Sequence, residues 1–203
     1  LHLQAYPSIK SCTIVNRTEN ERLAKLIATL RSRYHAQVEF HTIVPDQRNR
    51  RDIDQCVSEA DIICTATSSH SSLFDTSFVR KGVHINLIGS YTPEMLEVDT
   101  DLIRRAGKIA VDSKAACLIE AGELILAGLD ETDMVELGEL VSTDHNGIVV
   151  TDEKKCADIK SAGDITIFKS VGIGLQDVAI ANLVVSRAVR MGIGNIIDPY
   201  DVS

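Results

Sequence analysis

The chain has no tryptophan, and aromatic residues make up only 4% of its 203 residues. So thin a stock does not build the stacking platform of a single-strand nucleic-acid binder. Positive charge is also in deficit, with 21 Lys and Arg against 29 Asp and Glu and a formal charge of -8. The one basic cluster, Arg48 to Arg51, is diluted by Asp46, Asp52 and Asp54. A nucleic-acid partner is therefore not expected. Metal-ligand spacing is missing too: none of the six histidines pairs with another His or a Cys in a zinc-like pattern, so no metal is expected. There is no P-loop, no G-x-S-x-G and no H-E-x-x-H. The five cysteines (12, 56, 64, 117 and 156) are odd in number and contain no C-x-x-C pair. They read as reduced thiols of an intracellular, cytoplasmic protein. No apolar run approaches a membrane span, so no membrane partner is expected. The first residue is Leu1, without an initiator Met or a leader pattern, and the chain reads as beginning inside a longer polypeptide.

What is present is an alternation of short apolar strands with amphipathic helices. Strands are predicted at Cys12–Val15, 37–43, 61–66, 83–88, 108–111, 148–151 and 165–168. Helices are predicted at 19–32, 51–59, 99–106, 113–127, 134–142 and from about Leu175 to Met191, with a helical turn at 74–79. The first long helix follows Thr18-x-x-Glu21, a capping-box pattern, and Gly128 is placed to stop the helix over 113–127. Asp144-His145-Asn146-Gly147 signals a tight turn, so 140–151 reads as a small hairpin insertion. The alternation predicts an α/β fold: a Rossmann-like, doubly wound, mostly parallel sheet. It lacks the first strand and the glycine-rich loop that normally open such a sheet. Gly172-Ile173-Gly174 is no substitute, because Asp177 stands where a third glycine would be needed.

Open α/β sheets bind ligands along the carboxyl ends of their strands, so the breaks at those ends are the candidates. Asn16-Arg17-Thr18 ends one strand with a cation and no acid before Glu19. An acid at that place suits the ribose hydroxyl of NAD, whereas an Arg suits the 2′-phosphate of NADP. The triplet alone is equally an exposed loop and a helix cap. Thr65-Ala66-Thr67 and Ile88-Gly89-Ser90 end two more strands with small or hydroxylated residues that let a ligand approach the backbone. Asp112-Ser113 reads as a helix cap, His84 as a core residue, and Glu120 with Glu123 as one solvated helix face.

Taken in order, several segments resemble the ornithine cyclodeaminase/mu-crystallin family. They are Val15-Asn16-Arg17-Thr18, His84-Ile85-Asn86-Leu87-Ile88-Gly89-Ser90, Pro93 with Glu97-Val98-Asp99, and Val111-Asp112-Ser113. Glu120-Ala121-Gly122-Glu123-Leu124, Leu137-Gly138-Glu139 and Phe168-Lys169-Ser170-Val171-Gly172 with Asp177 complete the set. The resemblance implies an NAD(P)-binding domain and a separate dimerisation and substrate domain built mostly from sequence upstream. Residues 1–173 would be the nucleotide-binding unit, and 174–203 a helix and tail that pack on that second domain. It also implies a homodimer.

The same resemblance implies roles. Asn16, Arg17 and Thr18 would hold the adenosine ribose or its phosphate, favouring NADP over NAD. Thr65, Ala66 and Thr67 would line the cofactor groove. Ile88, Gly89 and Ser90 would pass near the nicotinamide, and Ser170, Val171 and Gly172 would close over it. Ornithine cyclodeaminases carry an acid/base Asp two residues after the glycine matching Gly89; this chain has Tyr91. A phenol is a poor base near neutrality but donates a hydrogen bond, so Tyr91 is the candidate catalytic donor. The expected activity is NAD(P)H-dependent reduction of a C=N bond in a small cyclic ketimine or amino-acid-derived substrate. Ornithine cyclodeamination and NADPH binding without turnover remain alternatives. The 203 residues in isolation are expected to be unstable and inactive, because a doubly wound sheet places its first strand centrally.

Overall fold

The computed structural model describes residues 2–34, 37–45 and 50–195, apart from the side chains of Arg50 and Arg51. His35, Asp46 and Arg48 lie outside the described residues, as does the tail from 196. The chain runs α1 (His2–Ala5), β1 (Ser11–Val15), α2 (Glu21–Tyr34), β2 (Glu39–Ile43), α3 (Arg50–Glu59), β3 (Ile62–Thr65) and β4 (His84–Leu87). It continues through α4 (Thr100–Arg105), β5 (Ile109–Val111), α5 (Lys114–Glu120), α6 (Gly122–Ala127) and β6 (Met134–Glu136). Then come β7 (Val141–Thr143), β8 (Val149–Thr151), α7 (Glu153–Ala162), β9 (Thr166–Lys169) and α8 (Gly174–Met191).

Five strands form a wholly parallel sheet in the order β3-β4-β9-β5-β6. The last strand in sequence, β9, is thus central. Parallel pairing demands crossovers, and the helices supply them while burying the sheet. Ile85, Leu87, Ile109, Val111, Ile165 and Ile167 are essentially solvent-free in this core, packed with Leu102, Ile103 and Leu124 from the helices. A second parallel pair, β1-β2, has its own small core of Leu23, Ile27, Val38 and Phe40. Among the described residues β1 bonds only to β2, and β3 only to β4. Cys12 on β1 nevertheless lies near Cys64 on β3: burial first, then the neighbouring Cys64 and Cys56, push its thiol up. The α/β architecture with a parallel sheet is as the sequence indicated.

Several local expectations are corrected. Asn20, not Thr18, caps α2, its Oδ1 accepting from the Leu23 amide at 3.0 Å. The helix over 113–127 is two helices, broken at Ala121, which is extended (φ −83°, ψ 91°). The cause is tertiary. Gly122 packs so closely on the 92–95 loop that a Cβ there would lie 2.0 Å from the Met95 carbonyl. Glu120 and Glu123 therefore do not share a solvated face, and Glu123 is fully buried. Residues 134–142 are not a helix: β6 completes the sheet edge beside β5, a 3-10 turn covers Leu137–Leu140, and β7 follows. The hairpin is present as antiparallel β7-β8. Helix α7, capped by Asp152, follows it and was not foreseen. Ser113 caps α5, and Gly128, in the left-handed region, ends α6 as expected.

Candidate functional site at the strand ends

The register brings the central candidates together. Thr65 pairs with Leu87, Leu87 with Lys169, and Lys169 with Val111, so one row crosses the sheet at its carboxyl edge. The next residues extend the ladder: the Ile88 amide donates to the Thr65 carbonyl, Ser170 to Leu87, and Asp112 to Lys169. Thr65–Thr67, Ile88–Ser90 and Ser170–Gly172 are therefore three neighbouring loops on one rim. Asn16, Arg17 and Thr18 end β1 in the separate two-stranded sheet. There Asn16 donates through Nδ2 to the Thr18 carbonyl at 2.6 Å, and its amide reaches Ile43 of β2. Arg17 and Thr18 are exposed, and the Arg17 guanidinium has no polar partner among the described residues.

Two acids organise this rim: Glu97, to which the sequence assigns no role, and Asp112, which reads in the sequence only as part of a helix cap. Glu97 is fully buried. Its Oε2 accepts from Thr65 Oγ1 at 2.6 Å and from the Gly89 amide at 2.8 Å. Its Oε1 accepts from the Thr67 amide at 2.5 Å and from Thr67 Oγ1 at 2.8 Å. One carboxylate thus ties the β3 loop to the β4 loop, and charge-assisted bonds of this kind are the strong ones. Gly89 is required there, because a Cβ would lie 2.0 Å from the Thr67 carbonyl and 2.4 Å from Glu97 Oε1.

Asp112 does the same for the β9 loop. Its Oδ2 accepts from Ser170 Oγ at 2.6 Å, the Val171 amide at 3.1 Å and the Gly172 amide at 2.7 Å. Its other oxygen accepts from the Ser113 amide at 2.8 Å. Burial first, and then the Asp112 charge, push the Cys117 thiol up to about 12, so this cysteine stays protonated and inert. Its thiol lies 3.7 Å from Asp112 Oδ1. The Thr65 hydroxyl hydrogen is committed inward to Glu97, and that of Ser170 to Asp112. What these loops offer outward is Ala66, Thr67, Ile88, Tyr91 and Gly172, all exposed, with open space where a Gly172 Cβ would stand.

Such a rim can hold an extended, partly flat molecule against apolar and backbone surface. Ile88 is 43% exposed and Tyr91 56%, so two large side chains present apolar surface on this rim. His84, one strand-turn below, is half-buried with Nδ1 2.8 Å from Thr166 Oγ1, and burial lowers its pKa. No cluster of metal-ligating residues occurs among the described residues. No described helix is long and apolar enough to cross a membrane.

The chain is similar to several known proteins. The Δ1-pyrroline-2-carboxylate reductase of Bacillus cereus is 37% identical over 153 residues, 73% of this chain and 43% of the relative. The ketimine reductase mu-crystallin of Mus musculus is 32% identical over 154 residues, 76% of this chain and 44% of the relative. Among solved structures, the Thermococcus litoralis Δ1-pyrroline-2-carboxylate reductase in complex with NADH and L-proline superposes with a TM-score of 0.67. It is 25% identical, and the match covers 93% of this chain and 53% of that one. The chain spans about half the length of the curated relatives it matches. A family model matches residues 3–192, and the chain belongs to the ornithine cyclodeaminase/mu-crystallin family.

Proposed function

We propose that the complete protein is an NAD(P)H-dependent oxidoreductase that reduces the C=N bond of a small cyclic ketimine or α-imino acid, of the pyrroline-2-carboxylate kind. The observation that carries this reading is the in-register rim, where Ala66, Thr67, Ile88 and Gly172 present exposed surface on three adjacent loops. A dinucleotide, when bound, would supply hydride to the imine carbon while the imine nitrogen takes a proton. The chain's part is to bind and orient. Asn16, Arg17 and Thr18 would meet the adenosine ribose and its phosphate. Ala66 and Thr67 would line the groove, with Thr65 beneath them. Ile88, Gly89 and Ser90 would form the floor near the nicotinamide, and Ser170 to Gly172 its cover. Tyr91, in place of the cyclodeaminase Asp, would donate a hydrogen bond to substrate. That substitution and the reductases among the relatives favour reduction over ornithine cyclodeamination.

In this reading residues 1–173 are the nucleotide-binding unit and α8 leads into a substrate and dimerisation domain, giving a homodimer. Support comes from α8 itself: it buries no residue, and Leu175, Val178, Leu183, Val184 and Val189 are exposed. NADP would be preferred over NAD because Arg17 is exposed and has no polar partner among the described residues. In the full-length protein, Arg17→Ala is expected to weaken NADPH binding about tenfold or more, as loss of a charge-assisted phosphate contact does, and to leave NADH binding unchanged. Titration of both cofactors by fluorescence checks this, and an unchanged preference refutes the phosphate assignment. Cofactor oxidation with pyrroline-2-carboxylate, against proline and ammonia formation from ornithine, separates the two reactions. Cofactor binding without either turnover would leave the non-catalytic reading.

A further inference from the structure

Lys169 is fully buried at the end of the central strand β9, an expensive place for an ammonium. Its Nζ lies 2.5 Å from the Ser90 carbonyl oxygen and 3.0 Å from Glu123 Oε1. Glu123 is equally buried, and neither of its oxygens has a well-aligned hydrogen bond among the described residues. It balances charge and does little else. A buried ion pair of this kind is weak evidence for stability, since an apolar pair of similar volume does as well or better. What the pair does achieve is geometric: it holds one particular carbonyl, at the turn where β4 gives way to the rim.

That turn is fixed from every other side as well. The Gly89 amide is bonded to Glu97, the Ser90 hydroxyl donates to the Met95 carbonyl at 3.0 Å, and Gly122 abuts the carbonyls of 92–95. Ser90 is buried while Tyr91, next to it, is more than half exposed. A trans peptide is planar, with its C=O and N–H pointing opposite ways. With the Ser90 carbonyl drawn into the core by Lys169, the N–H of Tyr91 in the same peptide points toward the rim. That N–H has no acceptor among the described residues.

We propose that Lys169, neutralised by Glu123, is a positioning residue that turns the Ser90–Tyr91 peptide so that the Tyr91 N–H donates to a carbonyl or carboxylate oxygen of a ligand on the rim. The idea rests on the C=N reductase reading for the identity of that ligand. The oxygen is either the carboxamide of the nicotinamide or the carboxylate of the imine. Lys169 reaches neither and acts only through the peptide.

The test uses the full-length protein and the double variant Lys169→Met/Glu123→Met, which keeps the volume and removes both charges. It is expected to melt cooperatively while exchange of the Gly89 and Met95 amides, which are bonded to Glu97 and to the Thr92 carbonyl at this turn, speeds up about tenfold, the equivalent of one net hydrogen bond. Weaker NADPH binding with unchanged KM assigns the oxygen to the nicotinamide. A raised KM with unchanged cofactor affinity assigns it to the imine. Wild-type exchange, affinity and KM in the double variant overturn the proposal. If the double variant fails to melt cooperatively, the wild-type protein decides. Exchange at the Tyr91 amide should slow on adding NADPH, or NADPH with pyrroline-2-carboxylate, and no slowing under either condition overturns the proposal. If the wild type neither binds a dinucleotide nor reduces an imine, the functional reading falls, while exchange in the double variant still reports whether Lys169 holds the turn.

Discussion

The two parallel sheets meet the same task differently. At the end of the five-stranded sheet, Glu97 and Asp112 tie the loops to one another with seven contacts to backbone and hydroxyl donors before any ligand arrives. At the end of the two-stranded sheet, Asn16 bonds locally and Arg17 is exposed, with no polar partner among the described residues. One half of the proposed site is built in advance. The other has its recognition element present but is held by a small core whose members all retain some exposure. Preorganisation lowers the ordering cost of binding, and it is most useful where atoms react. The difference accords with a reacting end on the larger sheet and an anchoring end on the smaller.

The sharpest way to break that contrast is to hollow out each core in turn. In the full-length protein, Ile85→Ala, in the solvent-free core, is expected to cost about 4 kcal/mol, and Leu23→Ala about 2 kcal/mol, because a looser site collapses more readily. Equal losses by denaturant titration would mean that the two sheets are equally well packed. Next in size is Glu97→Ala, which strands the amides of Thr67 and Gly89 and should cost about 3 kcal/mol. It should also weaken dinucleotide binding while leaving the Arg17-dependent NADPH preference intact. Loss of that preference would show that the two ends are coupled.

The smallest effect concerns His84, whose pKa is lowered by burial first, with Asn86 opposing and His2 adding to it. As pH falls through the ordinary histidine value near 6.5, the unfolded chain takes the proton before the native one. The neutral native form then loses ground. Stability is thus unaffected by His84 above that value and declines below it. His84→Gln should flatten this part of the pH–stability curve, and an unaltered slope would assign it to other groups.

Features set by neighbours in sequence were legible without coordinates. Ser113 as a cap, Gly128 as a stop and the Asn146-Gly147 hairpin all act within a few residues. The break at Ala121 was not legible, because the carbonyls that force it come from 92–95. Strand β6 escaped notice since three residues carry no usable period, and Met134, Leu137 and Val141 mimic a helical stripe. Of the organising acids, Glu97 shows in the sequence only as a motif member, and Asp112 reads as part of a local helix cap rather than as the anchor of the β9 loop. Glu97 acts 30 residues from Thr67, and Lys169 acts 79 residues from Ser90, distances over which a single sequence has no voice.

Asp112 has one more consequence. The three residues it grips lie between the rim and α8, which begins two positions after Gly172. Whatever α8 leans on has a long lever against the proposed nicotinamide cover, yet the lever passes through the Asp112 contacts. Only a swing strong enough to strip three donors from one carboxylate at once would open the cover, so its opening should be all-or-none rather than graded.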